Sequence, residues 1–419
     1  MRGLLPPERF EAMSNVTGFQ CLECARTFRV NEVTYVCPEC SGNLDVLYDY
    51  EQIATRISKV TLAADRNFTI WRYRALLPIK DSSPVPPLSV GWTPLYDAPR
   101  LASEFGVRQL LIKDDGRNPT ASFKDRPSAL AVVKALEGGA TVATTASSGN
   151  AGAALAGMCA SVGMKSVIFV PATTPAAKVA QLQIYGATVV LVEGSYEQAC
   201  ELCLAASARF GWYQRTTGYN PFTAEGKKTA AFEIAEQLNW QVPDHVVVGV
   251  GDGNIIGGLW KGFYDLQQLG WIDCMPKLTG VQAAGAAPLV AAVNGDGVIR
   301  PVTGQTIADG INVGDPRDGT RALRAMRDSG GGAVAVSDEE IIAAIPRLAR
   351  ATGVFAEPGA AAAFAGFVKL RQSGVIQSDE RIALVITGSG LKDINNARRS
   401  VGEPLQIKPD IAELEKLQV

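Results

Sequence analysis

Apolar, strand-like segments alternate with longer helical segments through the middle of this chain, and this alternation most constrains its fold. The strand-like segments are residues 109–112, 140–145, 166–170, 188–192 and 246–250. The helical segments between them are residues 125–136, 151–162, 174–185 and 196–210. Continuous apolar strands separated by helices indicate parallel sheets that are covered on both faces. The chain is therefore predicted to have an α/β fold built on doubly wound parallel sheets.

Three loops that leave predicted strands carry candidate chemistry, because ligands of such sheets bind beyond the carboxyl ends of the strands. Residues 145–150 (TASSGN) could bind a carboxylate at a helix N-terminus, or could simply cap that helix. Residues 249–254 (GVGDGN) could direct backbone N–H groups at a phosphate, although they fit neither the Walker nor the dinucleotide spacing. Thr387, in residues 384–393, could offer a neutral hydroxyl to a ring nitrogen; the alternative there is an ordinary β-turn.

Lys124 is the candidate nucleophile. It follows the turn at Asn118 and Pro119 and begins the predicted helix 125–137, where Asp125 is expected to accept from backbone donors of the first turn. Partial desolvation beside a positive helix end disfavours the ammonium form and leaves an amine able to attack an aldehyde. The alternative is a solvated lysine at a helix start.

Four of the eight cysteines form two CxxC pairs, which predict a tetrahedral zinc site made by Cys21, Cys24, Cys37 and Cys40. The twelve residues between the pairs are β-prone, as in a zinc ribbon. Four thiolates leave no open coordination position, so the predicted role is structural. Disulfides are the alternative, which a cytoplasmic location disfavours. The other cysteines are predicted to be core residues: Cys159, Cys200, Cys203 and Cys274.

Composition excludes several function classes. The net charge of −2 gives no case for binding nucleic acid or a membrane surface. No apolar run reaches the length of a spanning helix, and residues 1–7 lack a signal-peptide core, so a cytoplasmic protein is expected. The single histidine, His245, argues against histidine triads and multi-histidine metal sites, and is expected in the core or at a strand end.

Six motifs occur along the chain in a familiar order: residues 118–126 (NPTASFKDR), 146–150 (ASSGN), 225–229 (EGKKT), 280–288 (GVQAAGAAP), 357–358 (EP) and 387–393 (TGSGLKD). Together they resemble the fold-type II pyridoxal-phosphate (PLP) enzymes, and most closely the threonine synthase family. The resemblance implies two doubly wound domains with PLP between them. A homodimer is also implied.

The resemblance assigns roles to particular residues. Lys124 would bind PLP and then move protons, Asn150 would bond the ring 3-oxygen, and Thr387 would bond the pyridine nitrogen. The cofactor phosphate would lie on the turn made by Gly251, Asp252, Gly253, Asn254 and Ile255. The substrate carboxylate would meet Ser147, Ser148 and Asn150. The implied reaction converts O-phospho-L-homoserine and water to L-threonine and phosphate.

The chain departs from the family at three positions: Ala151 replaces threonine, Asp252 replaces asparagine, and Thr223 replaces an arginine that helps to hold the substrate phosphate. The last change removes a bidentate phosphate partner. The residues that could replace it are Lys227, Lys228, Arg126 and Arg215. Both lysines could equally be solvated on a helix over 224–238.

The sequence leaves two other functions to consider and also predicts a division into domains. Ala151 and Thr223 leave open a PLP enzyme acting at Cβ, either a serine/threonine dehydratase or a cysteine- or cysteate-forming synthase. A zinc-ribbon binding protein on a degenerate enzyme scaffold is disfavoured by the intact Lys124, Asn150 and Thr387. The predicted division is a zinc-ribbon segment (1–50), a connector with the first part of a large PLP domain (51–125), a small α/β domain (126–216) and the rest of the large domain (217–419).

Overall fold

The structure is a computed structural model that describes residues 15–415 and residue 417. The prediction about residues 1–7 therefore lies outside the described residues. In the part of the chain that the structure describes, no helix has both the length and the apolar character needed to cross a membrane.

The described residues form thirteen strands in three sheets. The strands are β1 (Val16–Cys21), β2 (Thr27–Phe28), β3 (Leu44–Tyr48), β4 (Leu95–Asp97), β5 (Gln109–Asp114), β6 (Val142–Ala146), β7 (Lys165–Pro171), β8 (Thr188–Val192), β9 (Tyr213–Gln214), β10 (His245–Gly249), β11 (Lys277–Ala283), β12 (Gly332–Val336) and β13 (Arg381–Ile386).

Helices cover these sheets. They are α1 (Tyr50–Arg56), α2 (Lys59–Ala64), α3 (Pro99–Phe105), α4 (Asp125–Glu137), α5 (Asn150–Ser161), α6 (Ala176–Gln183), α7 (Tyr196–Phe210), α8 (Phe222–Lys227), α9 (Thr229–Gln237), α10 (Asn254–Gln268), α11 (Pro288–Asn294), α12 (Gly319–Asp328), α13 (Asp338–Thr352), α14 (Pro358–Gln372), α15 (Ile394–Arg399) and α16 (Ile411–Glu415).

The two larger sheets confirm the predicted α/β class. One has six strands in the order β12-β11-β10-β13-β5-β4 and is parallel except for the edge pair β4–β5. The other has four parallel strands in the order β8-β7-β6-β9. Their central strands are apolar and buried, as in β10 and β13, because helices pack on both faces. The strands of the smaller sheet all lie between residues 142 and 214, while the exact domain boundaries stay predictions.

The N-terminal sheet is small and antiparallel, in the order β2-β1-β3. The β-prone interval after Cys24 forms strand only at Thr27 and Phe28, and Val36 contributes a single bridge to Asn43. The interval therefore forms less strand than its composition predicts. His245 lies, as predicted, at a strand end, buried as the first residue of β10. Cys159, Cys200 and Cys203 are buried as predicted, but Cys274 is exposed, since it lies in the loop between α10 and β11.

A buried ion network fixes the start of α4 against the rest of the fold. The Arg126 guanidinium donates to Asp115 through Nε at 2.6 Å and Nη2 at 2.9 Å, and to Glu233 through Nη2 at 2.8 Å. Lys113 adds a second cation, with its Nζ 2.7 Å from Glu233. All four side chains are fully buried. The network joins β5, α4 and α9, and Arg126 follows Lys124 by two residues, so it holds the backbone that carries Lys124.

Candidate functional site

Lys124 lies where three strands of the six-stranded sheet end. It is the half-buried N-cap residue of α4, in the connection that leaves β5. This connection runs beside the residues that follow β13: Phe123 N donates to Thr387 O at 2.8 Å, and Ser389 N donates to Ala121 O at 3.1 Å. Because β13 lies between β5 and β10 in the parallel sheet, the connections after all three strands meet at one edge. The loops predicted to carry chemistry after these three strands, which are more than 120 residues apart in the chain, are thus brought together.

Asp125, which follows Lys124 in the chain, does not accept from the first turn of α4 as predicted. The Asp125 carboxylate accepts from the backbone N–H of Thr120 at 2.7 Å and from the Thr120 hydroxyl, which belong to the preceding loop and not to the first helical turn. The prediction for Asp125 was therefore wrong. The side chain folds back because the loop between Asn118 and Ser122 reverses the chain there, and its effect is to fix the approach of that loop to Lys124.

The Lys124 amine is predisposed to be neutral. Burial is the main cause that holds its pKa below the usual lysine range, and the positive charge of Arg215 acts in the same direction. Glu357 and Asp252 oppose this shift by stabilising the ammonium form. A neutral amine has the free lone pair that attack on an aldehyde requires. The nucleophilic character predicted from sequence is therefore supported by the surroundings of the side chain.

The loop between β6 and α5 presents Ser147, Ser148 and Asn150 as half-buried side chains. The N-cap residue of α5 is Gly149, which makes no side-chain capping bond, while the Ser147 hydroxyl accepts from Gly149 N at 3.3 Å. The alternative that the serine and asparagine side chains cap this helix is therefore wrong. Exposed donors at a helix N-terminus suit a carboxylate.

Glu357 is a residue of the site that sequence reasoning listed in a motif but gave no role. The Asn150 amide donates to both of its carboxylate oxygens, at 2.9 and 3.0 Å. Burial raises the pKa of Glu357, against the effects of Asn150 and Lys124. Its backbone N–H donates to Gly388 O at 3.1 Å, so the carboxylate is fixed next to the end of β13. The available signal was its place directly before Pro358, which marks the residue that enters a helix.

Thr387 is buried immediately after β13. Gly388 and Ser389, which follow it, make antiparallel bridges with Ser122 and Ala356. The segment is extended at these two residues, so the alternative of an ordinary β-turn is wrong. The backbone here is held on both sides, by the Lys124 loop and by the residue before Glu357, which gives Thr387 a defined position at the shared edge.

The turn between β10 and α10 has the geometry of an anion-binding loop. Helix α10 begins at Asn254, with Gly253 as its N-cap. Gly253 has a φ of +93°, and a Cβ atom there would lie 2.6 Å from Asp318 O. Only glycine meets both conditions without strain. Backbone N–H groups at the start of the fifteen-residue α10 are free of intrahelical partners, which suits a phosphate.

Lys227 supplies positive charge to this turn. Its Nζ donates to Asn254 Oδ1, it is buried, and it has no carboxylate within ion-pair distance among the described residues. Burial, together with the charges of Lys124 and Arg215, holds its pKa well below the usual range. Asp252 is the nearby acid, and burial raises its pKa. A buried amine that has no carboxylate at ion-pair distance among the described residues, next to a helix N-terminus, fits a cofactor phosphate.

The alternative that Lys227 and Lys228 are solvated is wrong. The predicted helix 224–238 is divided at Lys228 into α8 and α9, and both lysines are buried. Lys228 forms ion pairs with Glu225 at 2.6 Å and Asp265 at 2.7 Å. Lys228 and Arg126 are thus neutralised by carboxylates inside the protein, and neither is available to a ligand.

The four predicted metal ligands are grouped in space. The sulfur atoms of Cys21, Cys24, Cys37 and Cys40 all lie within 4.8 Å of one another. The sulfur atoms of Cys21 and Cys40 are 3.5 Å apart, and those of Cys24 and Cys37 are 3.7 Å apart. Four thiolates around zinc at about 2.3 Å would place neighbouring sulfurs roughly 3.8 Å apart. The cluster therefore fits a tetrahedral ion.

Hydrogen bonds connect this cluster to the phosphate turn. Asn43, three residues after Cys40, donates to Asp318 Oδ1 at 2.8 Å. The other Asp318 oxygen accepts from Asn254 Nδ2, and Asn254 in turn accepts from Lys227. The N-terminal segment thus helps to fix Asp318 and Asn254, the residues that shape the turn, through these hydrogen bonds.

Comparisons with known proteins agree with this geometry. The family described as "Pyridoxal-phosphate dependent enzyme" matches residues 87–388. The threonine synthase of Methanocaldococcus jannaschii is 42% identical over 401 residues, which cover 95% of this chain and 98% of that protein. The threonine synthase of Methanosarcina acetivorans is 40% identical, covering 94% of this chain and 96% of its own length.

Solved structures agree on the fold. An L-serine ammonia-lyase from Rhizomucor miehei superposes with a TM-score of 0.65 at 20% identity, covering 74% of this chain and 96% of that one. This likeness concerns the fold alone. Family match, identity over nearly the whole chain and the grouping of Lys124, Asn150 and the phosphate turn lead to one conclusion. The chain belongs to the threonine synthase family of pyridoxal-phosphate-dependent enzymes.

Proposed function

We propose that the chain converts O-phospho-L-homoserine and water to L-threonine and phosphate. The observation that carries the proposal is the Lys124 amine, whose pKa burial lowers, at the edge where the connections after β5, β10 and β13 meet. Its family relatives support the choice of this reaction over others that the same fold performs. Bound PLP would supply an electron sink for charge that develops on the substrate carbons.

Different residues around Lys124 would bind different parts of the cofactor. Lys124 would hold the cofactor aldehyde, and the turn from Gly251 to Ile255, with Lys227 behind it, would hold the cofactor phosphate. Thr387 would offer its hydroxyl to the pyridine nitrogen. A hydroxyl there would leave the ring nitrogen unprotonated, since a neutral group does not stabilise a pyridinium charge.

Asn150, Ser147 and Ser148 would orient the ring oxygen and the amino-acid carboxylate. Glu357 would anchor Asn150, whose amide nitrogen donates to its carboxylate. Once released from the cofactor, the Lys124 amine would take a proton from Cα and return protons along the substrate chain. This step needs an amine in its neutral form, and burial favours that form by lowering the pKa of Lys124.

The direct test is to follow threonine and free phosphate together from O-phospho-L-homoserine with PLP-loaded protein. Equal release of both products is the expected result. Formation of pyruvate from serine or of 2-oxobutanoate from threonine, without turnover of O-phospho-L-homoserine, would overturn the proposal in favour of a dehydratase. The second outcome is measured because Ala151 and Thr223 depart from the residues that the family has at these positions.

We propose further that zinc occupies the four-cysteine cluster in a structural role. Each CxxC pair contributes one buried and one exposed cysteine, and all four thiolates would be used, so no position remains for catalysis. The homodimer implied by the resemblance stays a prediction.

Two exposed cysteines allow a matched test of the metal proposal. Cys24→Ser removes one of the four ligands, whereas Cys274→Ser changes an exposed cysteine far from them in sequence. We expect about one zinc per chain in the wild type and in Cys274→Ser, as measured by atomic spectroscopy. Cys24→Ser should lose zinc and unfold several degrees lower, because metal binding contributes to folding. Retention of zinc and of the melting temperature by Cys24→Ser would contradict the site.

A further inference from the structure

Two buried cations differ from the other buried lysine and arginine side chains that the structure describes. Seven of the nine form an ion pair with a carboxylate: Arg72, Lys113, Arg126, Lys134, Lys228, Lys261 and Arg321. The two that form none within the described residues are Lys227 and Arg215. An uncompensated buried charge is costly, so it is normally kept for a ligand.

Arg215 is the less satisfied of the two. It is 1% exposed, and its guanidinium donates only to neutral hydroxyls, from Nε to Ser128 at 3.2 Å and from Nη1 to Thr217 at 2.9 Å. Its Nη2 is buried and has no hydrogen-bond partner among the described residues. Burial is the main cause that lowers its pKa to about 10, so the group remains a cation at neutral pH. A bidentate acceptor is therefore missing from this guanidinium.

The position of Arg215 places this guanidinium at the candidate site. Ser128, its partner, lies four residues after Lys124 and thus on the same face of α4. Arg215 directly follows β9, and its backbone N–H donates to Thr144 O at 2.9 Å in the neighbouring strand β6. Strand β6 leads into the loop of Ser147 and Asn150. The guanidinium charge also lowers the pKa of Lys124.

Arg215 and Lys227 are near enough for the Arg215 charge to lower the pKa of Lys227, but their hydrogen bonds differ. Lys227 donates to Asn254, the first residue of α10, and so belongs to the turn proposed for the cofactor phosphate. Arg215 instead donates to Ser128 on α4 and to Thr217, and its backbone bonds to β6, the strand that leads into the loop proposed for the substrate. Thr223 cannot supply charge, and its buried hydroxyl is already used in a bond to Asn220 O at 2.8 Å.

We propose that Arg215 binds the phosphate group of the substrate and so sets the specificity of this enzyme for a phosphorylated amino acid. The free Nη2 would complete a bidentate contact with two phosphate oxygens, a contact that is strong because both partners are charged and desolvated. The inference rests on the proposed function, since it requires that the substrate carries a phosphate.

The test compares Arg215→Gln and Arg215→Lys with Arg209→Gln, which changes an exposed arginine of the nearby helix α7. In Arg215→Gln, kcat/KM for O-phospho-L-homoserine should fall about 100-fold, mainly through KM, because a hydrogen-bonded charge is lost. Arg215→Lys should recover part of this loss. Arg209→Gln should behave as the wild type. The affinity for PLP, read from the absorbance of the bound cofactor, should be unchanged in all three variants.

Inorganic phosphate serves as a probe that does not depend on turnover. Calorimetric titration of PLP-loaded wild type should show a phosphate site that Arg215→Gln lacks, while binding of L-threonine, which has no phosphate, should be the same in both. This result is expected even if the true reaction is a different one, so a failure of the proposed function is distinguishable. A weakened affinity for PLP in Arg215→Gln would assign Arg215 to the cofactor phosphate and overturn the inference. Unchanged phosphate binding, with or without a lower melting temperature, would make Arg215 structural and overturn it equally.

Discussion

Replacement of Lys124 by alanine is expected to lower turnover by at least about 10³-fold, because it removes both the group that holds the cofactor and the base that moves protons. The change should also abolish the absorbance band of lysine-bound PLP. The neutral amine is favoured by burial and by Arg215, so alanine loses a group that no other described lysine of the site can replace. The Lys227 amine is already used in a bond to Asn254 Oδ1.

The control is Lys369→Ala, an exposed lysine whose ammonium contacts Ala335 O on β12. This variant should keep both the absorbance band and the rate. If Lys124→Ala retained the band together with turnover, the assignment of Lys124 would be wrong, whatever the remaining activity of other variants.

Replacement of Arg126 by methionine should lower the free energy of unfolding by about 3–5 kcal/mol, since it leaves buried Asp115 and Glu233 without their main cation. The guanidinium donates to both carboxylates and also to the hydroxyls of Thr229 and Thr93. Methionine keeps the volume but none of these bonds. Unfolding in urea, measured on PLP-free protein so that cofactor binding does not contribute, gives the difference.

An exposed arginine gives the matched control. Arg347 pairs with Glu104, with both side chains almost half exposed, so Arg347→Met should cost at most about 1 kcal/mol. Equal losses in the two variants would contradict the argument that burial makes the Arg126 network important.

The pH dependence of the Arg126→Met effect has a definite sign. Burial alone would raise the pKa of Glu233, but Arg126 and Lys113 overcome it and hold the value at about 2. The wild type therefore gains stability from this ionised group above the unfolded-state pKa of about 4.3, and loses it as pH falls towards 2. In Arg126→Met the pKa of Glu233 is higher, so protonation of Glu233 removes less stability from the variant than from the wild type. The difference in unfolding free energy between the two proteins should therefore narrow as the pH falls over the same range.

The fold was predictable to a large degree because its central strands are buried on both faces. Such strands appear in the sequence as continuous apolar runs, and helix bounds such as Tyr196–Phe210 coincide with the prediction because Ser195 caps the start and Gly211 ends the helix. The prediction was weaker where local preference was overruled by packing. The segment around Lys227 and Lys228 looks like a solvated helix, but α8 is enclosed between α4 and α10, and its charges are buried.

The candidate site was predictable where a loop had a recognisable composition, as at Asn150 and Gly253. Contacts between residues that are distant in the sequence could not be predicted. The bond from Asn150 to Glu357 joins residues 207 apart, and it depends on the order of strands in the sheet, which no local pattern encodes. The same reason explains why the sequence could not rank Arg126, Lys228 and Arg215 as phosphate ligands. Their charges look alike until the carboxylates around each are known.

We expect this chain to cleave the carbon–oxygen bond of a phosphate ester and to add water to the carbon chain. The most direct measurement is turnover of O-phospho-L-homoserine in water enriched in ¹⁸O, with mass spectrometry of both products. We expect ¹⁸O in the hydroxyl group of threonine and none in the released phosphate. Label in the phosphate, with homoserine as the organic product, would mean cleavage of the phosphorus–oxygen bond by simple hydrolysis and would contradict the account.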